Sequence, residues 1–448
     1  MRNEVNVLLK ILSYPSVSAD KRLSEIEGRV QSFSQSDQQA VACILEDVRN
    51  RGDAAVIEYA RRFDAPGLHR DNIEASSSEF EAAARQVSPE FMASLDRAAS
   101  QIESFHRKQS LKSWIDTPRP GTLLGQIVTP VHTTGIYVPG GKAGTTPLVS
   151  TVLMCGIPAR IAGVSSLIMT TPSTPEGTVN PHLLAAARRV GIDAVFKIGS
   201  AWAIAALAYG TATIPRCDVI VGPGNIYVTI AKKMVAGTVG IDMIAGPSEI
   251  LIIADETAHP EFTAADLLSQ AEHDPMASAI LITPSTSVAE RVAEAVERQL
   301  RELPRQDIAE ASLANFGAVF VVSDMDAAFD LSNHIAPEHL ELHIHSPLEH
   351  IDRIRNAGAV FMGHYTPEPV GDYIAGPNHV LPTSGTARFS SALSVDHFMK
   401  KTSVIHYSEA AFRQEAPDII RLAEIEGLGA HARSVKVRLN RSGGQGDG

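Results

Sequence analysis

Residues 194–209 read AVFKIGSAWAIAALAY, a short apolar run followed at once by an alanine-rich stretch. The run has the length and apolar character of a buried strand, and the alanine-rich stretch favours a helix. Similar short runs stand at Gly135–Val138, Ser166–Met169 and Asp218–Val221. Strands that alternate with helices in this way are typical of an α/β protein with parallel sheets.

The same texture continues toward the C-terminus. Further strand-like runs stand at Ile250–Ala254, Ala279–Thr283 and Ala318–Val322, so the chain has enough predicted strands for two parallel sheets. Two sheets of similar kind are also what an internal duplication would leave, although the sequence shows no repeat of fixed period.

Upstream of these strands, residues 36–64 are predicted to form two helices. Ser36 and Gln39 have the spacing of a capping box at the start of the first helix. Gly52 is expected to end that helix and to separate it from the second.

Composition limits the partners and the compartment. The 448 residues predict two to four domains, and the formal net charge of −12 argues against a nucleic-acid partner, which would need a basic face. The apolar run Val149–Met169 is interrupted by Pro158 and Arg160, so a buried segment is expected rather than a membrane span. The three cysteines form no CxxC pair and the N-terminus does not resemble a signal peptide, which predicts a cytoplasmic protein.

Two glycine turns follow predicted strands. They are Pro139-Gly140-Gly141 and Gly222-Pro223-Gly224-Asn225, and neither is part of a GxGxxG fingerprint or a phosphate-binding P-loop. Glycines at the carboxyl end of a parallel strand let a ligand approach the backbone closely. The same turns also serve purely structural roles, and the sequence leaves both interpretations open.

A helix predicted between Pro260 and Pro275 carries a polar stripe. Asp266, Gln270 and His273 are spaced i, i+4 and i+7, which places them on one helix face. Such a stripe is either a solvated edge or a metal or substrate site, and glutamine is an unusual zinc ligand.

Several candidate catalytic groups lie farther along the chain, in segments expected to be loops. Adjacent Glu338 and His339 offer two proton acceptors of different basicity, which suits a reaction with two proton abstractions. Asp372 lies beside a glycine-rich loop, and a late segment contains Glu426 and His431. Histidine with carboxylate ligation would suit zinc.

Taken together, these segments resemble the histidinol dehydrogenase family over nearly the whole chain. The most specific runs are Gly240–Asp255 (GIDMIAGPSEILIIAD), Ala265–Pro275 (ADLLSQAEHDP), Ile335–Leu342 and Gly376–Gly385 (GPNHVLPTSG). The resemblance implies two-step oxidation of L-histidinol to L-histidine through histidinaldehyde, at the last step of histidine biosynthesis. It also implies two NAD per substrate and one zinc ion per active site.

The resemblance also implies roles for particular residues. Glu338 and His339 match the catalytic pair, and Tyr137, Trp202 and Asn225 match cofactor positions, although glutamine usually stands where Trp202 does. The implied zinc ligands are Gln270, His273, Asp372 and His431. The implied substrate contacts are Ser248, Gln270, His273, His339, Asp372, Glu426 and His431.

The implied architecture has two Rossmann-like domains with parallel sheets and small terminal segments. Residues 1–35 form an N-terminal helical segment, residues 36–136 and 248–393 the first domain with the zinc and catalytic residues, and residues 137–247 the second domain on the NAD side. Residues 394–448 form a C-terminal segment that completes the active site of the partner in a homodimer.

Three alternatives remain for the activity. One is a related zinc- and NAD-dependent dehydrogenase acting on another small alcohol, such as a sulfonated diol, but an anionic substrate would need arginine or lysine in the pocket. A second is a zinc hydrolase that uses Glu338 as a base toward metal-bound water. A third is a binding protein without catalytic activity on the same fold.

Overall fold

The structure, a computed structural model, describes residues 8–29, 33–140 and 147–440. Gly141 of the first predicted glycine turn lies outside the described residues. The chain forms two compact units. Of the described residues, unit 1 comprises those up to Ser110 and those between Val131 and Phe398, and unit 2 comprises Leu111–Pro130 and Met399–Asn440.

The secondary structure alternates between strands and helices through most of the chain. In chain order the strands are β1 (Ile11–Ser13), β2 (Trp114–Asp116), β3 (Thr122–Pro130), β4 (Thr133–Tyr137), β5 (Ser166–Thr170), β6 (Ala194–Phe196), β7 (Val219–Val221), β8 (Gly240–Ile241), β9 (Glu249–Ala254), β10 (Ser278–Thr283), β11 (Ala318–Val321), β12 (His339–His343), β13 (Ala359–Met362) and β14 (Met399–Tyr407). The helices are α1 (Val17–Gly28), α2 (Gln35–Arg51), α3 (Asp53–Phe63), α4 (Ser77–Gln86), α5 (Pro89–His106), α6 (Val149–Ala162), α7 (Pro181–Val190), α8 (Ser200–Tyr209), α9 (Ile226–Val235), α10 (Pro260–Ala271), α11 (Thr286–Leu300), α12 (Gln306–Phe316), α13 (Met325–Ile335), α14 (Glu368–Tyr373), α15 (Glu409–Ile425) and α16 (Gly429–Leu439).

Unit 1 contains two parallel sheets with the same internal strand order. The five-stranded sheet has the order β6-β5-β4-β7-β8, and the six-stranded sheet has the order β1-β11-β10-β9-β12-β13. Apart from the added β1, each sheet runs 3-2-1-4-5 in its own sequence order, the arrangement of a doubly wound fold. The prediction of an α/β protein with two Rossmann-like parallel sheets is confirmed.

The six-stranded sheet is buried on both faces. Ile250, Ile252 and Ala254 of β9 belong to a core with helices α10 and α11, whereas Leu251 and Ile253 belong to a core with α1 and α13. Successive strand residues point to opposite faces, so an almost continuous apolar run is what a doubly covered strand requires.

Helices α2 and α3 belong to the core of the five-stranded sheet. Val41, Leu45 and Val56 share one apolar cluster with the almost entirely buried helix α8. The predicted architecture instead places residues 36–136 in the domain of the other sheet, and its predicted boundary at residue 137 falls on the last residue of β4.

The predicted helix pair is confirmed, with one change at its start. Gly52 has φ +56° and joins α2 to α3. The N-cap of α2 is Ser34 rather than the predicted Ser36, because the Ser34 hydroxyl accepts a hydrogen bond from the Asp37 amide at 3.0 Å.

The apolar run Val149–Met169 is divided between α6 and β5. Among the helices of the described residues, none has both the length and the apolar character that crossing a membrane demands.

Unit 2 is a small antiparallel sheet with two helices. Its strand order is β14-β3-β2, and β14 pairs with β3 over nine residue pairs, from Met399 opposite Pro130 to Tyr407 opposite Thr122. Helices α15 and α16 follow and pack against each other. The predicted C-terminal segment, residues 394–448, therefore forms its sheet around β3, whose residues were predicted to belong to the first domain.

Candidate active site

A polar strip runs along β12 of the six-stranded sheet. His339, Glu341 and His343 alternate along this strand and share one face, and all three are buried. Asp266 and Gln270 lie one turn apart on the neighbouring helix α10. Two of the three residues of the predicted polar helix stripe, Asp266 and Gln270, thus lie against a polar strand stripe inside the protein rather than in solvent.

His339 is held in one tautomer. Its Nδ1 lies 2.8 Å from the Glu249 backbone oxygen, which can only accept, so Nδ1 carries the proton. Nε2 is therefore the free basic atom, and it lies 3.7 Å from a carboxylate oxygen of Glu368. Burial lowers the pKa of His339, so its ring is neutral at physiological pH.

Glu338 is fixed by a reciprocal pair of hydrogen bonds with Glu249. The Glu249 amide donates to Glu338 Oε2 at 2.9 Å, and the Glu338 amide donates to Glu249 Oε2 at 3.2 Å. Burial raises the pKa of Glu338 well above its ordinary value, and the Glu249 carboxylate raises it further. A carboxylate with a raised pKa is a stronger base once it is deprotonated.

Glu249 is a residue that the sequence analysis missed. It forms an ion pair with Arg29 and accepts from the Ser384 amide at 3.0 Å, so one buried carboxylate supports both catalytic candidates. The available signal was an acidic residue at the start of a strand that is otherwise continuously apolar.

Glu368 is a second missed residue. In the orientation that satisfies its hydrogen bonds, the Gln270 amide nitrogen donates to both carboxylate oxygens of Glu368, at 3.0 and 2.7 Å. Glu368 precedes the predicted ligand Asp372 by four residues in α14, and this spacing was the signal that could have identified it.

Ligand atoms of His339, Glu368 and Asp372 lie within 4.8 Å of one another. Burial, with the nearby charges of Glu341 and Asp266, raises the pKa of Glu368 to about 8. Burial, with the nearby charge of Glu368, raises the pKa of Asp372 to about 7. Buried carboxylates with raised pKa values are stabilised by a bound cation. Because Gln270 directs its amide nitrogen to Glu368, its carbonyl oxygen remains a possible ligand, and together with the Asp372 carboxylate it fits a divalent metal ion while His339 Nε2 stays available as a base.

Two more predicted site residues of unit 1, His273 and Ser248, lie near these groups in the chain, and so does His379 of the glycine-rich loop after Asp372. His273 is exposed and lies two residues beyond the end of α10, so the helix stops earlier than the predicted limit at Pro275. Ser248 directly precedes Glu249 and is half-buried. His379 Nδ1 lies 3.9 Å from Asp372 Oδ1, and burial lowers the pKa of His379 to about 4.

Glu426 and His431 belong to unit 2. Glu426 caps the end of α15, and His431 lies in the first turn of α16. Both residues are exposed on this unit.

The candidate cofactor residues Tyr137 and Asn225 lie at the carboxyl edge of the five-stranded sheet. Tyr137 ends β4, and Asn225 follows the neighbouring strand β7 and caps α9 by accepting from the Tyr227 amide at 3.1 Å. Strands β4 and β7 flank the point where the strand order reverses, which is where doubly wound sheets bind ligands.

The glycine turn after β7 is held from both sides. The Gly222 amide donates to Asp242 at 2.7 Å, its carbonyl accepts from Lys232 at 2.8 Å, and Lys232 and Asp242 form a buried ion pair. A Cβ at Gly222 would lie 2.1 Å from the Tyr137 carbonyl oxygen, so this position requires glycine.

Trp202, predicted to lie at a cofactor position, is packed among aromatic side chains, and its contact with NAD stays a prediction. Its side chain is only 5% exposed, and its ring lies nearly parallel to those of Tyr59 and Phe63, with centroid distances of 5.8 and 5.4 Å. This stacking packs α8 against α3. Such packing accounts for the buried ring, whereas the indole Nε1 has no hydrogen-bond partner among the described residues.

The fold and this site define an α/β protein with two doubly wound parallel sheets and a buried histidine–carboxylate centre. Its sequence specifies the family, since the model for histidinol dehydrogenase matches residues 28–439. The chain belongs to the histidinol dehydrogenase family.

Individual relatives agree with this assignment. The chain is 54% identical to the histidinol dehydrogenase of Desulfotalea psychrophila over 417 residues, covering 93% of this chain and 96% of the relative. It is 51% identical to the histidinol dehydrogenase of Geobacter metallireducens, covering 97% of this chain and 99% of the relative. A crystal structure of histidinol dehydrogenase from Elizabethkingia anophelis superposes with a TM-score of 0.90 at 39% identity, covering 96% of this chain and 98% of that one.

Proposed function

We propose that the chain oxidises L-histidinol to L-histidine in two NAD-dependent steps, with histidinaldehyde between them. The observation that carries this proposal is the state of His339, whose hydrogen bond to Glu249 leaves Nε2 as a neutral base among buried carboxylates. The family supports use of NAD and a metal ion in general. Zinc as the ion, one ion per site, and the cytoplasm as the compartment remain parts of the proposal.

Gln270, His273 and Asp372 would hold the zinc ion, together with His431. The zinc ion would supply a fixed point of attachment for the amine and imidazole of the substrate, and NAD would supply the hydride acceptor for each step. Tyr137 and Asn225 would contact the dinucleotide at the carboxyl edge of the five-stranded sheet, beside the turn at Gly222. The burial of Trp202 supports a packing role for this residue in place of a direct contact with NAD.

In the first step His339 Nε2 accepts the hydroxyl proton of the substrate. The proton on Nδ1 stays there and remains hydrogen-bonded to the Glu249 carbonyl oxygen, so the ring keeps its orientation while Nε2 takes up the second proton. The carboxylates of Glu368 and Asp372 stabilise the resulting imidazolium because they lie within reach of the ring.

In the second step Glu338 accepts a proton from the water that adds to the aldehyde carbon. The raised pKa of Glu338 makes it a stronger base for this purpose than an exposed carboxylate. Its two hydrogen bonds with Glu249 hold the carboxyl group in place.

The charge of the site favours a cationic substrate. Glu338, Glu368 and Asp372 are acidic groups around one histidine, and an amino alcohol brings a positive charge to them. A sulfonated diol would bring a negative charge and be repelled. Turnover of such a diol without turnover of histidinol would transfer the assignment to the related dehydrogenase.

The metal requirement is tested by removal and by substitution. Chelation is expected to abolish NADH formation, and added zinc to restore it. His273→Asn should reduce both zinc content and activity, because one ligand is lost. Full activity in a sample shown by elemental analysis to be free of metal would refute the requirement.

We further propose a homodimer in which Glu426 and His431 of the partner subunit complete each site. Inactive Glu338→Gln and His431→Asn chains, co-expressed, would then form heterodimers in which one site carries both changes and the other neither, so about half of the sites recover. No recovery in a purified heterodimer would place the whole site within one chain.

A further inference from the structure

An acidic side chain at the carboxyl edge of the five-stranded sheet has no role in the proposed oxidation. This residue, Asp64, directly follows α3, and its Oδ2 accepts a hydrogen bond at 3.3 Å from the amide of Gly199, in the turn between β6 and α8. Asp64 is half-buried, so a ligand can reach its carboxyl group from solvent.

Asp64 lies beside the candidate cofactor residue Tyr137. The Tyr137 hydroxyl accepts a hydrogen bond at 3.1 Å from the amide of Ser200, the residue after Gly199. Burial raises the pKa of Tyr137, and the nearby charge of Asp64 raises it further. The carboxyl group of Asp64 therefore borders the edge of the sheet at which NAD is proposed to bind.

The Asp64 carboxyl group has acceptor capacity to spare. Within the described part of the chain, the Gly199 amide is its one hydrogen-bond donor, and the indole Nε1 of Trp202 has no partner. No lysine or arginine of the described residues holds its charge. Since a carboxylate offers about four acceptor positions, Oδ1 is free to accept from a ligand hydroxyl.

The order of the sheet indicates which hydroxyl this is. Strand β5 is the second strand in the order 3-2-1-4-5, and doubly wound folds that bind NAD place an acidic residue after that strand, where it accepts from the 2′-hydroxyl of the adenosine ribose. Residues 170–174, at the end of β5, read TTPST and contain no acid. A Cβ on Gly199 would lie 2.6 Å from Pro172 Cγ and 3.3 Å from Asp64 Oδ1, so Asp64 borders this strand end from α3.

We propose that Asp64 accepts a hydrogen bond from the ribose 2′-hydroxyl of the NAD adenosine and thereby selects NAD over NADP. NADP carries a phosphate group at that position, which has no proton to donate and which the carboxylate repels. This role rests on the proposed binding of NAD at the carboxyl edge of the five-stranded sheet. It is compatible with the bond to Gly199, because that bond uses the other carboxylate oxygen.

Asp64→Asn separates cofactor selection from a purely structural role. The asparagine carbonyl oxygen can still accept from the Gly199 amide, so the turn before α8 keeps its support, whereas the charge is lost. If Asp64 only held this turn, its replacement would impair the use of NAD and of NADP by the same factor. If Asp64 selects the cofactor, the replacement impairs the use of NAD and improves that of NADP.

Steady-state kinetics of the full-length protein with each cofactor test the proposal. Oxidation of L-histidinol is measured at about pH 9, where Asp64, with a pKa of about 7, is ionised. In Asp64→Asn the Michaelis constant for NAD should rise about fivefold, because a neutral acceptor replaces a charged one. The ratio of kcat/KM for NAD to that for NADP should fall by about tenfold or more. The kcat with NAD should change little, because the adenosine ribose lies far from the carbon that accepts the hydride.

Glu176→Gln is the matched control, because it changes an exposed acid in the loop after β5 and should leave the cofactor preference at the wild-type value. Titration with 2′-deoxy-NAD tests the contact itself: the wild type should bind it more weakly than NAD, and Asp64→Asn should bind the two about equally.

An unchanged preference for NAD over NADP in Asp64→Asn, or a variant that still binds NAD more tightly than 2′-deoxy-NAD by the wild-type factor, would overturn the proposal. Failure of the proposed oxidation would instead appear as a wild type that forms no NADH. The titrations would then still decide whether Asp64 contacts the ribose.

Discussion

Glu338 and His339 are neighbours in the chain, but their side chains have different surroundings. His339 presents a free Nε2 toward Glu368, whereas Glu338 is bound on both sides to Glu249. The sequence predicted the pair but not these different surroundings, because Glu249 and Glu368 are brought next to the pair by other elements. A lone acidic residue gives no signal of its neighbours in space.

Substitution of each catalytic candidate should affect a different half-reaction. His339→Asn is expected to slow oxidation of histidinol more than that of histidinaldehyde, since it removes the base for the hydroxyl proton. Glu338→Gln should mainly slow oxidation of histidinaldehyde, because only that step needs activated water. Rates are measured separately with each substrate.

His345→Asn, an exposed change just beyond β12, is the control and should leave both rates near the wild-type values. Equal losses of both half-reactions in both catalytic variants would show that the two residues do not divide the proton transfers.

Asp64 should make stability depend on pH. Burial raises the pKa of Asp64 to about 7 from an ordinary value of 3.8, against the effect of a hydrogen bond from the Gly199 amide at 3.3 Å. The folded protein therefore keeps this proton over a range of pH in which the unfolded chain has released it. The stability linked to Asp64 is fully present below about pH 4 and is lost as the pH rises toward 7.

Asp64→Asn cannot ionise, so its free energy of unfolding should fall less between about pH 5 and pH 8 than that of the wild type. Urea unfolding at several pH values measures this difference. Asp71→Asn, at a side chain that is 93% exposed, is the control and should follow the wild type. Parallel pH profiles for the wild type and Asp64→Asn would rule out a raised pKa.

At the scale of elements, apolar strands were predictable and polar ones were not. The runs at Ser166–Met169 and Ala279–Thr283 became β5 and β10 with shifts of one residue. Strand β12, with the sequence HLELH, is not among the predicted strands, because three of its five residues are polar. These polar side chains face α10, and the polar residues of that helix make their burial favourable.

The turn after β7 predicts an effect of a single methyl group. Gly222 has φ +112°, and a Cβ there would meet the Tyr137 carbonyl oxygen, whereas Gly237 has φ +93° with no atom within 4 Å of a Cβ. Gly237→Ala is therefore the matched control for backbone strain alone. Gly222→Ala should lower the free energy of unfolding more and weaken NAD binding, as measured by urea unfolding and NAD titration. Equal effects of the two substitutions would contradict the close approach of β4 and this turn.

The packing of α8 on α3 predicts the behaviour of Trp202. Trp202→Ala should lower the free energy of unfolding by about 3–5 kcal/mol, and Trp202→Phe by less, since a ring remains to stack on Tyr59 and Phe63. The Michaelis constant for NAD should not change in Trp202→Phe. In a Trp114→Phe background, quenching of Trp202 fluorescence by NAD would contradict this interpretation and indicate that the indole of Trp202 contacts the cofactor.

At the scale of the whole molecule, unit 1 combines two sheets with one strand order. The five-stranded sheet places Tyr137 and Asn225 at its carboxyl edge, but the six-stranded sheet places Glu338, His339 and Ser248 at the amino ends of β12 and β9. The sequence predicted the number and type of sheets from strand and helix periodicity. It did not predict which strand end carries the catalytic residues, since periodicity contains no information on that point.

The central claim is a four-electron oxidation of histidinol, and its most direct test is the yield of NADH. Full-length protein loaded with zinc is given a limiting, known amount of L-histidinol with excess NAD, and NADH is measured at completion together with the histidine formed. A four-electron oxidation yields about two NADH and one L-histidine per L-histidinol. A yield of one NADH with histidinaldehyde accumulating, or no NADH at all, would contradict it.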